Sequence, residues 1–345
     1  MIKREGNLPA GLFAHNLQTQ GAKTLYPQST TGDTGVVGRI FKALQDQAAK
    51  AGSTPIKGSA YSITDDRTIF RGSPVDPVLL SSFQGMLVYE GSQTAKRARN
   101  PVERGAMLDA FARLAAKEAG SVLADTHNRV LGRALADSER ISALLEDAKI
   151  SPKWAGAIGR ASVGRGQRFV AQFEQVSRVI AARKAFDAEV DVFYVELGGF
   201  DTHSDMLEGT ERNFKDIDVA LGMFVEQMKE LGVWDNVVLQ SISEFGRTMT
   251  SNGQGTDHAY GGNQFIIGGN VRGGIVHGEY PEVRINGPQS VSTTGVMLPT
   301  SPWEKLWTPI SQWLGVEETH LNDVMPNLPA FSDKHLLDLK DMFVK

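Results

Sequence analysis

Apolar and polar positions change their periodicity along the chain in three zones. Residues 1–100 are mixed and rich in turns, residues 101–187 are helical in pattern, and residues 188–345 alternate between strand-like and helix-like runs. In the last zone, apolar residues at helical spacing predict an amphipathic helix from about 214 to 231, which ends at Gly232. We therefore expect one α/β domain spanning 1–345, with a mostly parallel sheet, helices on both faces and a helical insertion.

Other elements are predicted from the same patterns. We expect a helix from Asp33 or Thr34 to Gly52, and a strand from Ala60 to Thr64. The helical zone predicts a helix that opens near Pro101 and includes Met107, Leu108, Phe111, Leu114 and Ala115, a second from Val122 to Ile150, and a third from Gln167 to Phe186.

The amphipathic helix at 214–231 connects two apolar runs of strand length, 192–197 and 237–242. A strand, a helix and a strand within about fifty residues are typical of a βαβ unit, which has parallel strands. The carboxyl ends of parallel strands meet at one edge of a sheet, where ligands bind. We therefore expect Gly199–His203 and Ser243–Arg247 to lie together.

Composition limits the function classes. The apolar share of 41% and charged share of 22% are ordinary for a soluble globular protein. A net charge of −4 argues against general binding to nucleic acid or to an anionic membrane. The sequence contains no run of 18 apolar residues, so no transmembrane segment is predicted. The chain has no cysteine, which excludes disulfides, thiolate zinc sites and cysteine nucleophiles.

The first strand end carries Asp201-Thr-His203. An oxygen and a nitrogen ligand on one tight loop suit a divalent metal such as Zn²⁺ or Mn²⁺ rather than Ca²⁺. Alternatively, Asp201 caps a helix that begins near Gly209, and His203 lies on the surface.

The second strand end carries Glu244 and Arg247, and Asp257 and His258 follow in a glycine-rich loop. Glu244 could ligate a metal, while Arg247 could hold a phosphate, sulfate or carboxylate group; an internal Glu244–Arg247 ion pair is the alternative. His258 could ligate a metal with Asp257 orienting it, or both could ligate. A turn in which Asp257 bonds its own backbone is the simpler alternative.

Together, the runs Gly-Gly-Phe-Asp-Thr-His, Ser-Glu-Phe-Gly-Arg and Gly-Thr-Asp-His resemble a family called domain of unknown function 1501. That family is related to the alkaline phosphatase and sulfatase superfamily, whose sites hold one or two divalent metals at strand ends. The resemblance implies an alkaline phosphatase-like fold, with Asp201, His203 and His258 as metal ligands and Asp257 as a further candidate. It also implies an exported protein.

The chain departs from the family pattern in two places. Glu244-Phe245 stands where the superfamily usually has an Asp-His pair, which weakens the case for a second metal. Before Gly11-Leu-Phe-Ala14-His15 we do not recognise the family's usual first strand, so the chain is expected to be N-terminally incomplete relative to the family. Ala14 stands where the resemblance predicts serine, and His15 is a further site candidate, or else a capping or buried loop histidine.

Two functions are compatible with these residues. The first is a metal-dependent hydrolase of phosphate or sulfate esters, acting on an anionic small molecule or sugar ester, with Arg247 balancing the anionic charge. The second is a non-catalytic secreted or surface protein that retains the fold and a degenerate metal site. Fold resemblance alone does not decide between them.

Overall fold

The structure is a computed structural model that describes residues 11, 13–29, 34–82, 85–86, 109–117 and 120–344. The predicted helix start at Pro101, with Met107 and Leu108, lies outside these residues, and the chain is helical over 109–115.

Helices make up most of the regular structure. In chain order they are α1 (His15–Thr24), α2 (Val36–Ala51), α3 (Val122–Glu146), α4 (Lys153–Arg160), α5 (Arg165–Ala181), α6 (Arg183–Phe186), α7 (Met206–Glu230), α8 (Glu304–Trp313), α9 (Leu321–Val324) and α10 (Leu339–Met342). The predicted helices in α2, α3, α5 and α7 are confirmed, because apolar residues at helical spacing in each of them pack into a core. Gly232, with φ of +67°, follows the end of α7 as expected.

Eight short strands are present among the described residues. They are β1 (Gly58–Ser62), β2 (Val78–Ser81), β3 (Gly85–Met86), β4 (Val190–Tyr194), β5 (Val238–Gln240), β6 (Gly246–Arg247), β7 (His258–Ala259) and β8 (Ile266–Gly268). One sheet has the order β3-β2-β1-β4, in which β2, β1 and β4 are parallel and β3 is antiparallel. The strand predicted at Ala60–Thr64 is confirmed as β1.

The predicted parallel pairing across the βαβ unit is wrong for the hydrogen-bonded strands. The strand β5 pairs antiparallel with β8, and β6 pairs antiparallel with β7. These two pairs form sheets separate from the one that contains β4. The parallel sheet is therefore small, with three parallel strands, rather than the mostly parallel sheet that was expected. Strand pairing depends on partners far away in sequence, which the local pattern around β5 does not reveal.

Helices lie on both faces of the four-stranded sheet, as predicted. In β1, Ala60 packs into a core with α2, α8 and α9, whereas its neighbour Tyr61 packs into a second core with α4, α5 and α7. The alternation follows from strand geometry, because successive side chains point to opposite faces. The strand ends between these two layers are thus held on both sides. Within the described part of the chain, no helix is both long and apolar enough to cross a bilayer.

Candidate metal centre

Asp201 lies in the loop that connects β4 to α7. The turn begins at Gly199, whose φ of +98° is unfavourable for residues with a side chain, and the Asn213 amide of α7 donates to the Gly199 carbonyl at 2.8 Å. The residue at the N-cap of α7 is Asp205, so the alternative in which Asp201 caps this helix is wrong. The Asp201 side chain is instead available to other groups.

A hairpin formed by β6 and β7 supplies the opposite side of the centre. Arg247 and His258 are direct cross-strand partners. The hairpin packs on the Asp201 loop through a hydrogen bond from the Thr256 N–H to the Thr202 carbonyl, at 3.0 Å. Gly255 permits this contact, because a Cβ atom there would collide with the backbone of Thr202 and His203. The sequence motifs therefore meet through a hairpin rather than through adjacent parallel strands.

Four basic side chains surround the Asp201 carboxylate. The distances to Oδ1 are 2.7 Å from Arg247 Nη1, 2.8 Å from His258 Nε2 and 2.9 Å from His203 Nε2. The distance from His15 Nε2 to Oδ2 is 3.2 Å. Three imidazoles and one guanidinium thus converge on a single carboxylate.

The contacts of Nδ1 in His258 and His203 indicate whether Nε2 of each ring can accept a proton or a metal. His258 Nδ1 lies 3.2 Å from the Phe13 carbonyl oxygen, and His203 Nδ1 lies 3.1 Å from Asp257 Oδ1. Both oxygens are acceptors, so each Nδ1 carries the hydrogen. In a neutral imidazole, Nε2 is then an acceptor that faces the Asp201 carboxylate. A proton or a metal cation is required to make that approach favourable, and an Nδ1–H bonded to a carboxylate or carbonyl is the usual support of a metal-binding histidine.

The donor atoms fit a divalent metal ion. One ligand atom from each of His15, Asp201 and His258 lies within 4.8 Å of the other two, so these residues could hold a metal. His203 Nε2 also faces Asp201 and could add a further nitrogen. A mixed set of imidazole and carboxylate ligands is typical of Zn²⁺ sites and suits other transition metals.

Charge and access are consistent with a site open to solvent. Partial burial acts to raise the pKa of Asp201, but the interactions with His258 and Arg247 outweigh it and hold the pKa below its usual value. The His258 side chain is only 9% exposed, whereas that of His15 is 52% exposed. The ring of Phe245 stacks on His258, with centroids 4.5 Å apart, and fixes its plane. The centre thus has one buried wall and one open side.

The other predicted site residues lie in different positions. Asp257 Oδ1 lies 3.1 Å from His203 Nδ1, whereas His258 Nδ1 faces the Phe13 carbonyl. The expectation that Asp257 orients His258 is therefore wrong, and Asp257 is placed to orient His203 instead. Arg247 donates to the Thr256 hydroxyl at 3.0 Å and to the Thr256 carbonyl, as well as to Asp201. Its ion pair is with Asp201, so the alternative of a Glu244–Arg247 pair is wrong. Glu244 is half-buried near Tyr194 and is not part of the group formed by His15, Asp201 and His258.

Two contributors were weakly signalled by the sequence. In the sequence, His15 is a candidate only because it lies in a segment similar to a family motif, and the structure places it at the first turn of α1, against Asp201. The Phe13 carbonyl has no signal at all, because a backbone acceptor is common to every residue. Both come from a part of the chain almost 190 residues before Asp201, and only the fold brings them there.

Comparison with known families shows which family the chain belongs to. The chain belongs to the family described as protein of unknown function (DUF1501), which matches residues 57–301. That range includes Asp201, His203, Arg247 and His258, whereas His15 precedes it. No curated protein and no solved structure matched the chain.

Proposed function

We propose that the protein is a metal-dependent hydrolase of phosphate or sulfate esters, with an alkaline phosphatase-like fold. The observation that carries this proposal is the convergence of His15, His203 and His258 on the Asp201 carboxylate, with two of the three imidazoles supported at Nδ1. A carboxylate whose pKa is shifted by specific charged partners in an open site is a candidate for function.

The proposed ligands are Asp201, His15 and His258, with His203 as a further ligand and Asp257 orienting it. Zn²⁺ or Mn²⁺ is the metal that this donor set favours. A bound metal of this kind polarises an ester oxygen and lowers the pKa of a bound water. Arg247, held by Thr256, keeps a positive charge beside the group and attracts an anionic ester.

Metal content tests the proposal directly. Elemental mass spectrometry is carried out on the purified, metal-reconstituted wild type and on Asp201→Ala, His258→Ala and His127→Ala. We expect about one equivalent of Zn or Mn in the wild type, its loss in the first two variants, and its retention in His127→Ala. His127 is a matched control because it is an exposed helical histidine away from the centre.

Hydrolysis of p-nitrophenyl phosphate and p-nitrophenyl sulfate by the metal-loaded protein then tests the reaction. Turnover that requires the metal and is lost in Asp201→Ala would support a hydrolase. Stoichiometric metal without turnover of either ester class would instead favour the non-catalytic protein with a degenerate site. The position of Arg247 Nη1, 2.7 Å from Asp201 Oδ1, is the observation that favours this second candidate, because the guanidinium occupies an oxygen that a second metal would need. No metal in the wild type would exclude the proposal.

A further inference from the structure

Part of the metal centre comes from the residues at the start of α1. His15, the first residue of α1, places its Nε2 atom 3.2 Å from Asp201 Oδ2. Two residues earlier, the Phe13 carbonyl oxygen lies 3.2 Å from His258 Nδ1. Residues 13–16, which we name the N-terminal turn, thus supply one proposed imidazole ligand and the acceptor that orients another.

Burial along α1 shows that the N-terminal turn is not held by the core. Residues 13–16 are exposed, whereas residues 21–24 at the other end of the helix are buried. That buried end is fixed by the Lys23–Asp66 ion pair and by Leu25, which is fully buried. Segments with few buried apolar contacts open most easily. The position of the N-terminal turn therefore depends on contacts outside α1.

An aromatic stack supplies such a contact. The rings of Phe13 and Tyr260 have centroids 5.3 Å apart and planes inclined by 20°. Tyr260 directly follows β7, the strand that carries His258. Phe13 therefore spans the end of β7, with its ring on Tyr260 and its carbonyl on His258. Such a stacked pair adds to the energy of apolar burial and has a specific geometry, so it fixes one segment against the other.

The contact between the two residues involves their rings alone. The Tyr260 hydroxyl has no hydrogen-bond partner in the part of the chain that the structure describes. The Phe13 side chain cannot ligate a metal. Any effect of the Phe13 ring on metal binding must therefore act through the position of the N-terminal turn.

We propose that Tyr260 is a positioning residue of the metal centre, which holds the N-terminal turn against β7 through Phe13 and thereby presents His15 to the metal. The proposal rests on the metal binding in the proposed function and adds a contact outside the group of ligands. Because a docked N-terminal turn favours metal binding, a bound metal must equally favour docking. Metal binding and docking of the N-terminal turn are therefore coupled.

Five variants test the positioning role. Tyr260→Leu and Phe13→Leu each remove one ring of the stack, the double variant Phe13→Leu/Tyr260→Leu removes both, and Tyr260→Phe keeps both. Tyr280→Leu is the control, because Tyr280 is 67% exposed and makes no ring contact among the described residues. Phe13 is 49% exposed, so Phe13→Leu tests the stack even if Tyr260→Leu is unstable.

Competition with a chromophoric chelator measures the affinity of each variant for Zn²⁺, and urea unfolding of metal-free protein measures its stability. We expect Tyr260→Leu and Phe13→Leu each to weaken Zn²⁺ binding about three- to tenfold. The double variant should lose no more than either single variant, because both act through one contact. Tyr260→Phe and Tyr280→Leu should bind Zn²⁺ as the wild type does.

Three results of these affinity measurements would overturn the assignment. The first is an unchanged affinity in Tyr260→Leu or in Phe13→Leu. The second is an additive loss in the double variant, because the two rings would then act independently. The third is a loss in Tyr260→Phe as large as that in Tyr260→Leu, because the hydroxyl and not the ring would then be the important group.

Hydrogen exchange tests the coupling without removing a ligand. The amides of Leu17 and Gln18 donate to the Ala14 carbonyl at 3.1 and 3.0 Å, so their exchange reports whether the first turn of α1 is formed. Zn²⁺ should slow this exchange in the wild type, and Tyr260→Leu should speed it in metal-free protein, while exchange in α2 stays constant. Equal exchange of Leu17 and Gln18 in all three samples would overturn the coupling.

The positioning role and the proposed function can fail separately. A wild type that binds Zn²⁺ but hydrolyses neither p-nitrophenyl ester ends the hydrolase proposal, and the affinity ratio between Tyr260→Leu and the wild type still decides the positioning role. Ester turnover with an unchanged Zn²⁺ affinity in Tyr260→Leu leaves the hydrolase proposal in place and removes Tyr260 from the metal centre. A wild type that binds no Zn²⁺ overturns both.

Discussion

Asp66 and Asp201 follow two neighbouring parallel strands, β1 and β4, and their carboxylates have opposite surroundings. Asp66 accepts hydrogen bonds from Lys23 and from the Thr68 N–H, and the Lys23 side chain is only 7% exposed. Asp201 is bonded instead by imidazoles and by Arg247, in a group that is open on the His15 side. The two carboxylates are similarly exposed, at 30% and 35%, so the difference lies in their partners and not in their burial.

The partners of the two carboxylates differ in whether they can ligate a metal. Burial acts to raise the pKa of Asp66, but the hydrogen bonds from Lys23 and Thr68 outweigh it and hold the pKa below its usual value. A lysine and a backbone N–H donate but cannot ligate a metal. The imidazoles at Asp201 can exchange a proton for a metal cation. A carboxylate at a strand end therefore becomes a candidate site through its partners and not through its position alone.

The largest expected effect comes from breaking the Lys23–Asp66 pair, because Lys23 is buried. Lys23→Met leaves Asp66 without its cation, and we expect the free energy of unfolding to fall by about 3 kcal/mol. Asp201→Ala in metal-free protein should change it by less than about 1 kcal/mol, because the group is partly exposed. Urea unfolding of both variants measures the difference. A larger loss in Asp201→Ala than in Lys23→Met would contradict the distinction between the two carboxylates.

A third carboxylate, that of Asp191, lies on β4 itself and has its pKa shifted by burial. Asp191 lies on β4 opposite Ser59, and its Oδ1 is buried without a hydrogen-bond partner among the described residues. Burial raises the pKa of Asp191 to about 6, from an ordinary value of 3.8. Between these pH values the folded protein keeps the proton that the unfolded chain loses, so stability falls as pH rises.

We therefore expect Asp191→Asn to be more stable than the wild type at pH 7.5, by about 1–2 kcal/mol once the partial exposure of the side chain is allowed for. At pH 4 the two proteins should differ little. Asp66 predicts the opposite sign, because the stability it contributes is present above its ordinary pKa and is lost as pH falls through its lowered pKa. Thermal unfolding across pH 3–8 checks both. Equal stability of Asp191→Asn and wild type at pH 7.5 would exclude an ionised, unpaired Asp191.

A smaller effect is expected at the residue that orients His203. Asp257→Asn keeps the shape of the side chain but weakens the acceptor for His203 Nδ1. We expect about a tenfold loss of metal affinity, less than that caused by removing a ligand. Competition with a chromophoric chelator measures it, with His203→Ala for comparison. An unchanged affinity in both variants would remove His203 and Asp257 from the metal centre.

The smallest effect belongs to an exposed ion pair. Lys42 and Asp46 are four residues apart on α2, and their side chains are 60% and 46% exposed. Lys42→Ala should lower the free energy of unfolding by less than about 0.5 kcal/mol, because water screens such pairs. Urea unfolding of Lys42→Ala and Lys23→Met compares the loss in free energy of unfolding at an exposed and at a buried lysine. A loss in Lys42→Ala comparable to that in Lys23→Met would mean that burial is not what sets the strength of the Lys23 pair.

Much of the local structure was predictable because it depends on short-range periodicity. Apolar residues at helical spacing determine α7 and its end near Gly232, and the strand pattern determines β1 and β4. The segments Gly199–His203 and Ser243–Arg247 were predicted to lie together, and Arg247 does contact Asp201, whereas Glu244 does not join the group. The reason given for their meeting was wrong, since the hairpin of β6 and β7 brings them together.

The sequence by itself therefore determined which residues are chemically able to form a metal site, and the helices and strands on either side of them. Only the tertiary structure decided that His15 joins Asp201, that Glu244 lies outside the group, and that Phe13 stacks on Tyr260. The physical reason is range. Hydrophobic periodicity acts over a few residues, whereas strand pairing and the convergence of side chains depend on contacts between segments far apart in the chain.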